Sequence, residues 1–278
     1  DFQLPVKITI DDFRKSTPND VVFEPYKQTQ ISSVKVYTTP AEKAEAKSDY
    51  DSIRFFGLKK KRFNKKVLSK AIQIRTGDLY SDATRNQTIA ELNRLGIFEY
   101  PSIRYSYADS LQSTLNTSII LEPRERFGLG FGLDLTQSNI QDQGIAFNSS
   151  LNVLNIFRGA ENFEFGVRGT IGRSADEVIS EIGGDMRLRI PKILMPNFIA
   201  RLIPENLQPT SVLNLGAALQ NNIGLDKLTY TGGIEYKWKT KNNNRIDFSL
   251  MDLTLVNNRN TQNYFNIYTN TYSQLNTI

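Results

Sequence analysis

The segment 126–137, RFGLGFGLDLTQ, constrains the fold of this 278-residue chain more than any other. Its apolar residues fall at every second position, which places them on one face of a β-strand, because strand side chains alternate between two faces. Glycines, an aspartate and a threonine take the other face. A small α/β module is predicted directly before it. The sequence therefore predicts a soluble arm followed by a membrane barrel. The apolar residues are Phe127, Leu129, Phe131, Leu133 and Leu135.

Further two-faced segments follow, and together they predict a run of seven strands: Gly128–Ser138, Gln143–Leu154, Ala160–Ile171, Glu181–Ile190, Ser211–Asn221, Leu228–Lys239 and Arg245–Val256. Membrane barrels alternate lipid-facing and lumen-facing residues in this way, whereas a soluble sandwich also alternates. Consistency over seven strands favours the barrel. The polar face carries charges of both signs, as expected of a wet lumen: Asp134, Glu164, Arg168, Asp185, Arg187, Arg189, Glu235, Lys237 and Lys239.

Two details of these strands give local predictions. The alternation slips at Met251–Asp252, which predicts a bulge or a strand end there. Tyr236 and Trp238 lie near a strand end, where aromatic residues form an interfacial girdle in membrane barrels.

The composition narrows the chemistry that is available. The chain contains neither Cys nor His, which excludes thiolate metal sites and Ser-His-Asp catalysis. Only carboxylates, lysines and tyrosines remain as candidate catalysts, so we expect no enzyme and no cofactor. The net charge of +5 is spread along the chain. The sequence shows no basic helix with interleaved aromatic residues, the pattern that would predict nucleic-acid binding. No run of apolar residues approaches the roughly 18 that a membrane-spanning helix needs. This observation does not exclude a barrel, because only every second residue of a barrel strand faces lipid.

The first part of the chain divides into a tail and a module. Residues 1–27 are predicted to be the last strand of something upstream, Asp1–Asp12, followed by a polar linker over Arg14–Gln28. Within 28–123, Ile31–Tyr37 predicts a strand and Ser52–Leu58 a second short strand. The charged, alanine-rich segment Pro40–Asp51 predicts a surface loop or a short solvated helix.

Two helices and two strands complete the module. Apolar residues at helical spacing predict a helix over Asn64–Ile72. Gly77–Asp78 predicts a turn, and Ser81 is a predicted N-cap for a helix over Asp82–Leu95 that ends before Gly96. Ile89, Leu92 and Leu95 form its apolar stripe. The paired strands Ile103–Tyr107 and Thr114–Leu121 follow, which gives the order β-α-α-β-β.

These residues resemble a known family pattern, "G-x-x-Y-s … t-x-x-x-L-x-x-L-G-x-F" before two strands, which marks the POTRA module. The positions that match are Gly77, Asp78, Tyr80, Ser81, Thr88, Leu92, Leu95, Gly96 and Phe98. The turn Asn155–Asn162, NIFRGAEN, resembles a turn of POTRA-bearing outer-membrane assembly barrels (BamA/TamA type, the bacterial surface antigen family). Gln208–Thr210 and Tyr236–Trp238 resemble the translocation-and-assembly-module branch most closely.

The resemblance implies the tail of a preceding POTRA module and a linker at 1–27, a POTRA module at 28–123 in the periplasm, and the N-terminal half of an antiparallel barrel in the outer membrane at 124–278. It implies a factor that inserts or assembles outer-membrane proteins, with membrane lipid, unfolded clients and a periplasmic protein as partners. Such barrels have about sixteen strands, so seven imply half a barrel with open edges. The family's V-R-G-F loop is absent, and Val167–Gly169 is not its equivalent because no Phe follows.

Two groups of residues are candidate functional sites, the first through the resemblance and the second through its clustered charge. Glycines weaken a strand interior, so the first barrel strand is expected to pair weakly with the last at a seam that admits client strands: Gly128, Leu129, Gly130, Phe131, Gly132 and Leu133. The plainer interpretation is small residues on the lumen face. A basic patch is expected to contact anionic lipid or an acidic partner, or else to be a solvated surface: Lys59, Lys60, Lys61, Arg62, Lys65 and Lys66. Asp78, Asp82 and Glu91 are interpreted as turn and helix-cap residues.

Other functions stay open at this stage. A secretion pore of the two-partner type has similar modules and a transport role. A soluble β-rich binding protein, adhesin-like, predicts strands packed as two sheets with dry inner faces. An enzyme is the remaining alternative, and it depends on a catalytic carboxylate.

Overall fold

The structure is a computed structural model that describes residues 13–17, 20–24, 28–38, 47–57, 63–109, 113–137, 143–174, 177–196, 207, 209–222, 225–240 and 244–258. The described residues form a two-stranded hairpin, a five-stranded sheet with two helices, and a seven-stranded sheet. None of the helices in these ranges is long and apolar enough to span a membrane.

The predicted polar linker is wrong over most of its length. Strand β1 (Phe13–Thr17) pairs antiparallel with β2 (Asp20–Glu24), and Thr17 lies opposite Asp20. The run Val21-Val22-Phe23 has high β-propensity, which outweighs the prolines on either side. The strand predicted over Asp1–Asp12 lies outside the described residues.

The α/β module is built on a mixed sheet. Its strands are β3 (Gln30–Tyr37), β4 (Lys47–Tyr50), β5 (Ile53–Phe56), β6 (Phe98–Tyr107) and β7 (Thr114–Pro123), in the spatial order β4-β5-β3-β7-β6. Strand β3 runs parallel to both of its neighbours. The end of the predicted loop or helix over Pro40–Asp51 is instead strand β4, because Asp51 and Ser52 adopt positive φ and close a two-residue hairpin to β5. The part of that segment at 40–46 is not described.

The two helices form where the sequence predicts them. Helix α1 (Lys65–Ala71) has Asn64 as its N-cap, and α2 (Asp82–Leu95) has Ser81, whose hydroxyl accepts from the Thr84 amide. Gly96 ends α2 with φ 70°, a left-handed conformation that glycine adopts without a Cβ clash. The predicted strands Ile103–Tyr107 and Thr114–Leu121 lie within β6 and β7. The element order β-α-α-β-β is thus present, with the β4–β5 hairpin inserted after the first strand.

The core of the module is a single apolar cluster between the helices and the sheet. Leu68 and Leu92 bring the helices onto Val36, Phe55 and Ile119, and each of these side chains is at most 1% exposed. Burial of that many apolar side chains stabilises the module through the hydrophobic effect. Two polar members of α2 are also buried: Thr88, which accepts from the Gln73 amide, and Glu91, which binds Arg94.

All seven predicted strands of the second part are present as one antiparallel meander. They are β8 (Phe127–Thr136), β9 (Gln143–Leu154), β10 (Asn162–Ser174), β11 (Glu177–Ile190), β12 (Thr210–Asn222), β13 (Leu225–Lys239) and β14 (Arg245–Asn258). Neighbours in sequence are neighbours in space. Among the described residues the sheet does not close, so β8 and β14 are its edges. The predicted bulge in β14 lies one residue earlier, where Ile234 pairs with Met251 and Glu235 with Ser249.

Candidate functional site: a two-faced sheet and its free edge

One face of the seven-stranded sheet is apolar across its whole width. The five apolar side chains of β8 are between 63% and 89% exposed. Strand register extends this face through every strand, because residues paired across an antiparallel ladder share a face. One such row runs through Leu129, Leu151, Phe165, Met186, Leu215, Gly232 and Leu253. The alternation predicted from sequence therefore places an apolar band on an exposed face of the sheet rather than in a core.

The opposite face carries a network of charges. Arg168 binds Asp185 at 2.9 Å and approaches Glu181 at 3.8 Å. Arg187 lies 3.6 Å from Glu164 on the neighbouring strand. These groups are partly exposed, so each ion pair contributes little to stability by itself. Their effect is to keep one face wet while the other is apolar.

The network continues across the next two strands. Arg187 donates to the Asn214 side chain at 3.1 Å, and Asn214 donates to Glu235 at 3.2 Å. Lys237 binds Glu235 at 2.8 Å. Most of the predicted lumen charges thus contact one another from β10 to β13.

This arrangement differs from the soluble sandwich that the sequence also allowed. A sandwich buries the apolar faces of two sheets against each other. Here the strands form one sheet, and Phe131, Leu135 and Leu215 stay at least 57% exposed. Among the described residues no second sheet covers them.

One end of the apolar face is covered by the chain itself. Tyr236 is only 2% exposed, and its hydroxyl donates to the Leu194 carbonyl at 2.9 Å. The Ser211 hydroxyl binds the same segment, accepting from the Leu194 amide and donating to the Lys192 carbonyl. The predicted interfacial girdle of Tyr236 and Trp238 is therefore wrong for Tyr236, which the chain itself buries, whereas Trp238 is half-buried. The hydrogen bonds from β12 and β13 that hold this segment have no periodic signature in the sequence.

The free edge of β8 presents the backbone groups of its apolar residues. The Leu154 amide donates to the Arg126 carbonyl at 2.8 Å, and hydrogen-bonded pairs recur at every second residue of an antiparallel ladder. Gly128, Gly130 and Gly132 therefore direct their amides toward β9. Leu129, Phe131 and Leu133 direct theirs away from β9, toward an edge that no described strand occupies.

The glycines of β8 serve the packing of the polar face. A Cβ on Gly130 would lie 2.7 Å from the Ser150 hydroxyl, and one on Gly132 would lie 2.6 Å from the Asn148 side chain. The side chains of β9 thus occupy the space that the glycines leave. The plainer interpretation, small residues on the lumen face, describes these contacts, whereas a role of the glycines in weakening a seam stays a prediction.

The turn between β9 and β10 contacts the module. In the segment Asn155–Glu161, three residues other than glycine adopt positive φ: Asn155 at 57°, Arg158 at 72° and Ala160 at 65°. Such conformations cost of order 1–3 kcal/mol each and persist only where surrounding contacts hold them. The left-handed Ala160 also delays the start of β10 to Asn162, two residues later than predicted.

Glu161 holds this turn from within. It is only 7% exposed, and its carboxylate accepts from the amides of Phe157 at 3.1 Å and Gly159 at 2.9 Å. Asn155 accepts from the Ala160 amide, and the Arg158 carbonyl accepts from the Asn64 amide at the start of α1. The turn therefore fixes the module and the sheet to each other.

We expect Glu161→Gln to destabilise the folded protein by about 1.5–3 kcal/mol, because a hydrogen bond to a charged acceptor contributes about that much. Gly159→Ala should act similarly, since a Cβ there would lie 2.4 Å from the Glu161 carboxylate. Glu125→Gln, at an exposed position, is the matched control. Denaturant unfolding measures all three, and equal stability of Glu161→Gln and the control would show that the carboxylate does not hold the turn.

The predicted signature residues of the module lie in one region and have structural roles. Gly77 adopts φ 95°, and the Asp78 carboxylate accepts from the Arg75 amide at 3.1 Å. Leu92 and Phe98 are buried in the core, and Gly96 ends α2. The Tyr80 hydroxyl donates to Asp82 at 2.7 Å.

Two tyrosines of the module, Tyr80 and Tyr105, have pKa values above the ordinary value of a phenol. The hydrogen bond to Asp82 and partial burial raise the pKa of Tyr80. Burial and the neighbouring Tyr80 raise the pKa of Tyr105 to about 12. The rings pack edge to face at 5.0 Å. Both phenols are therefore neutral at physiological pH and act as packing and capping groups.

The predicted basic patch is described only in part. Lys59, Lys60, Lys61 and Arg62 lie outside the described residues. Lys65 and Lys66 lie in the first turn of α1, where Lys66 is exposed and Lys65 half-buried. The role of the patch stays a prediction.

Sequence reasoning missed the arginines at the junction of module and sheet. Arg124 and Arg126 precede β8, and Arg158 lies in the turn that Glu161 holds. The only sequence signal that pointed to this junction was the NIFRGAEN turn, which contains Arg158 and the buried Glu161. Nothing in the spacing of the arginines indicates that the fold brings them together.

Comparison with solved structures shows a similar architecture. No family model and no curated protein matches the chain. The structure of BamA from Haemophilus ducreyi lacking POTRA domains 1–3 matches with a TM-score of 0.53 at 12% identity, over 91% of this chain and 42% of that one. CdiB from Acinetobacter baumannii matches with a TM-score of 0.33 at 8% identity, over 90% of this chain and 68% of that one. CdiB from Escherichia coli gives 0.29 at 10% identity, over 83% and 55%.

The BamA match is the one that bears on the fold. This chain spans less than half of that structure, and the identity is low. The antiparallel meander has the fold of a part of the barrel in the Haemophilus ducreyi BamA structure.

Proposed function

We propose that this chain belongs to an outer-membrane protein that assembles or inserts other β-barrel proteins. The apolar face of the seven-stranded sheet lies against lipid, and the charged face lines an aqueous interior. The α/β module is a POTRA module in the periplasm, of the translocation-and-assembly type. The energy for insertion comes from client folding and from transfer of client side chains into lipid, so no cofactor is required.

The observation that carries this proposal is the free edge of β8. Leu129, Phe131 and Leu133 present backbone groups that no described strand pairs with, and these groups lie beside the apolar face. In hydrocarbon an unsatisfied backbone group costs several kcal/mol, so such an edge is stable only if another strand pairs with it. An incoming client strand supplies matching donors and acceptors by β-augmentation. Client strands therefore pair transiently with β8 while the rest of their barrel forms.

The module offers a second place for a protein partner. Its sheet ends in β6, whose outer side pairs with no described strand. A register shift between Glu99 and Ser102, with Tyr100 at φ 44°, interrupts the start of that edge. Bulges of this kind protect exposed edges from indiscriminate pairing. The stretch from Ser102 to Tyr107 stays regular, and there an extended peptide in the periplasm would add.

Cysteine cross-linking tests the client role directly, because the chain has no cysteine of its own. Phe131→Cys on β8 should cross-link, through a short bismaleimide, to a single cysteine in the edge strand of an unfolded barrel client. Ile171→Cys is the matched control, since it lies on the same apolar face of an interior strand and is 57% exposed.

We expect cross-linking at residue 131 to exceed that at residue 171 by about tenfold or more, because strand pairing holds the two chains about 5 Å apart. Equal cross-linking at the two positions would contradict pairing at β8. A transported client that passes through without cross-linking at residue 131 would indicate a secretion role instead.

A further inference from the structure

We propose that the junction between module and sheet holds the phosphate group of a membrane lipid. A cavity of about 230 Å³ lies there, lined by three arginines, Arg124, Arg126 and Arg158, and by the apolar side chains of Phe63, Ile97 and Leu154. Its volume is below the roughly 300–1,000 Å³ of pockets that enclose a whole drug-sized ligand. It fits a headgroup rather than an entire lipid.

The backbone of each arginine is fixed to a different element. The Arg124 amide donates to the Ile97 carbonyl at 3.0 Å, the Arg126 carbonyl accepts from Leu154 at 2.8 Å, and the Arg158 carbonyl accepts from Asn64 at 3.0 Å. The Nε of Arg124 also donates to the Phe98 carbonyl at 3.2 Å. These bonds fix the backbone at the three arginines, and the bond from its Nε also holds the Arg124 side chain, so the backbone beside the cavity is ordered before any ligand arrives, which reduces the entropic cost of binding.

The positive charge of the cavity is not neutralised within the described part of the chain. None of the three guanidinium groups forms an ion pair with a described carboxylate. Glu161, the buried carboxylate nearby, is used by the amides of Phe157 and Gly159. Arginine presents five donors in a planar fork that matches phosphate oxygens, and three such groups over an apolar floor select an anion with an apolar extension.

The position of the cavity indicates where that anion comes from. Arg126 lies with its guanidinium carbon 5.3 Å from the centroid of the Phe127 ring, and Phe127 is the first residue of the outward apolar face. If that face contacts hydrocarbon, the cavity lies at the level of the headgroups. This step depends on the proposed placement of the sheet in the membrane. An acyl chain then lies along the apolar face while its phosphate enters the cavity.

Native mass spectrometry of the detergent-solubilised protein, titrated with phosphatidylglycerol, tests the proposal. The variant Arg124→Gln/Arg126→Gln/Arg158→Gln should bind the lipid at least about tenfold more weakly than the unmodified protein, because it removes the charged donors to the phosphate. The control Arg85→Gln/Arg104→Gln/Arg173→Gln removes the same charge from other sites and should bind as the unmodified protein does.

Two further arms identify the source of the anion. Inorganic phosphate in millimolar excess should displace the lipid only weakly, because the apolar side chains of the cavity bind the lipid and not the free ion. Complete displacement would show that the cavity is a site for free phosphate and would overturn the proposal. A short peptide with a free carboxylate that binds while phosphatidylglycerol does not would overturn the proposal. Equal lipid binding by the two triple variants would also overturn it.

The same variants separate this proposal from the client role. If lipid binding is lost in the cavity variant while cross-linking at residue 131 persists, the lipid site stands apart from client pairing. If cross-linking fails in the unmodified protein while the lipid binds the cavity, the client role fails and the lipid site remains.

Discussion

Phe131→Pro should reduce insertion of client barrels by at least about tenfold while leaving the sheet folded. The Phe131 amide points away from β9, so proline removes a donor from the free edge and breaks no bond among the described strands of the sheet. Proline is tolerated at strand edges for this reason. A client strand that approaches β8 then meets both a missing donor and a ring that prevents close pairing.

The matched control is Phe131→Ala, which removes the same aromatic ring and keeps the amide. Both variants are reconstituted in lipid vesicles, and the appearance of folded, protease-resistant client is followed with time. We expect insertion by Phe131→Ala within about threefold of the unmodified protein, a difference of less than 1 kcal/mol in barrier. Equal insertion by the proline and alanine variants would contradict a role for the backbone of this edge. Gly130→Pro, in contrast, removes a bond to β9 and should impair folding itself.

A charge on the apolar face should be costly in a membrane. Leu215 lies at the middle of β12, within the apolar row, and is 57% exposed. We expect Leu215→Arg to lower the free energy of unfolding in lipid by about 2–4 kcal/mol, the cost of arginine at the midplane of a membrane barrel. The same substitution in a water-exposed sheet would cost little.

Thr231→Arg is the control for that substitution. Thr231 pairs with Gly216 on the charged face, and a Cβ on Gly216 would lie 3.7 Å from the Cβ of Asp185. A new arginine there faces water and a carboxylate, so we expect a change within about 1 kcal/mol. Denaturant titrations in phospholipid vesicles compare the two. Equal costs would show that the two faces do not differ in their surroundings.

Strand positions in the second part were predictable because one physical rule produces them. The sequence alternates between apolar and polar residues wherever one face of a strand is apolar and the other polar, as at Phe163, Phe165 and Val167 of β10. The rule also predicted which side chains face each way. The rule could not predict where a strand begins or ends next to a left-handed residue such as Ala160. A positive φ in alanine is held by tertiary contacts rather than by local preference.

The module shows the same division between local and tertiary signals. The caps Ser81 and Gly96 are local chemistry, and α2 begins and ends where these residues predict. Helix α1 was predicted from the helical spacing of its apolar residues. The β4 strand and the β1–β2 hairpin were missed, since charged or proline-flanked sequence resembles loop until a partner strand pairs with it. The buried Tyr236 and the arginine cavity depend on contacts between residues distant in sequence, for which a single sequence holds no periodic signal.

A spin-label scan along β10 tests the central claim, that apolar side chains face lipid while their neighbours face water. Single cysteines are introduced in turn from residue 163 to residue 171 in the reconstituted protein, and each nitroxide is exposed to oxygen and to a water-soluble nickel complex. We predict that oxygen reaches the odd-numbered positions and nickel the even-numbered ones, with a period of two residues. Nickel accessibility that is uniform along the strand, or highest at Phe165 and Ile171, would contradict the account.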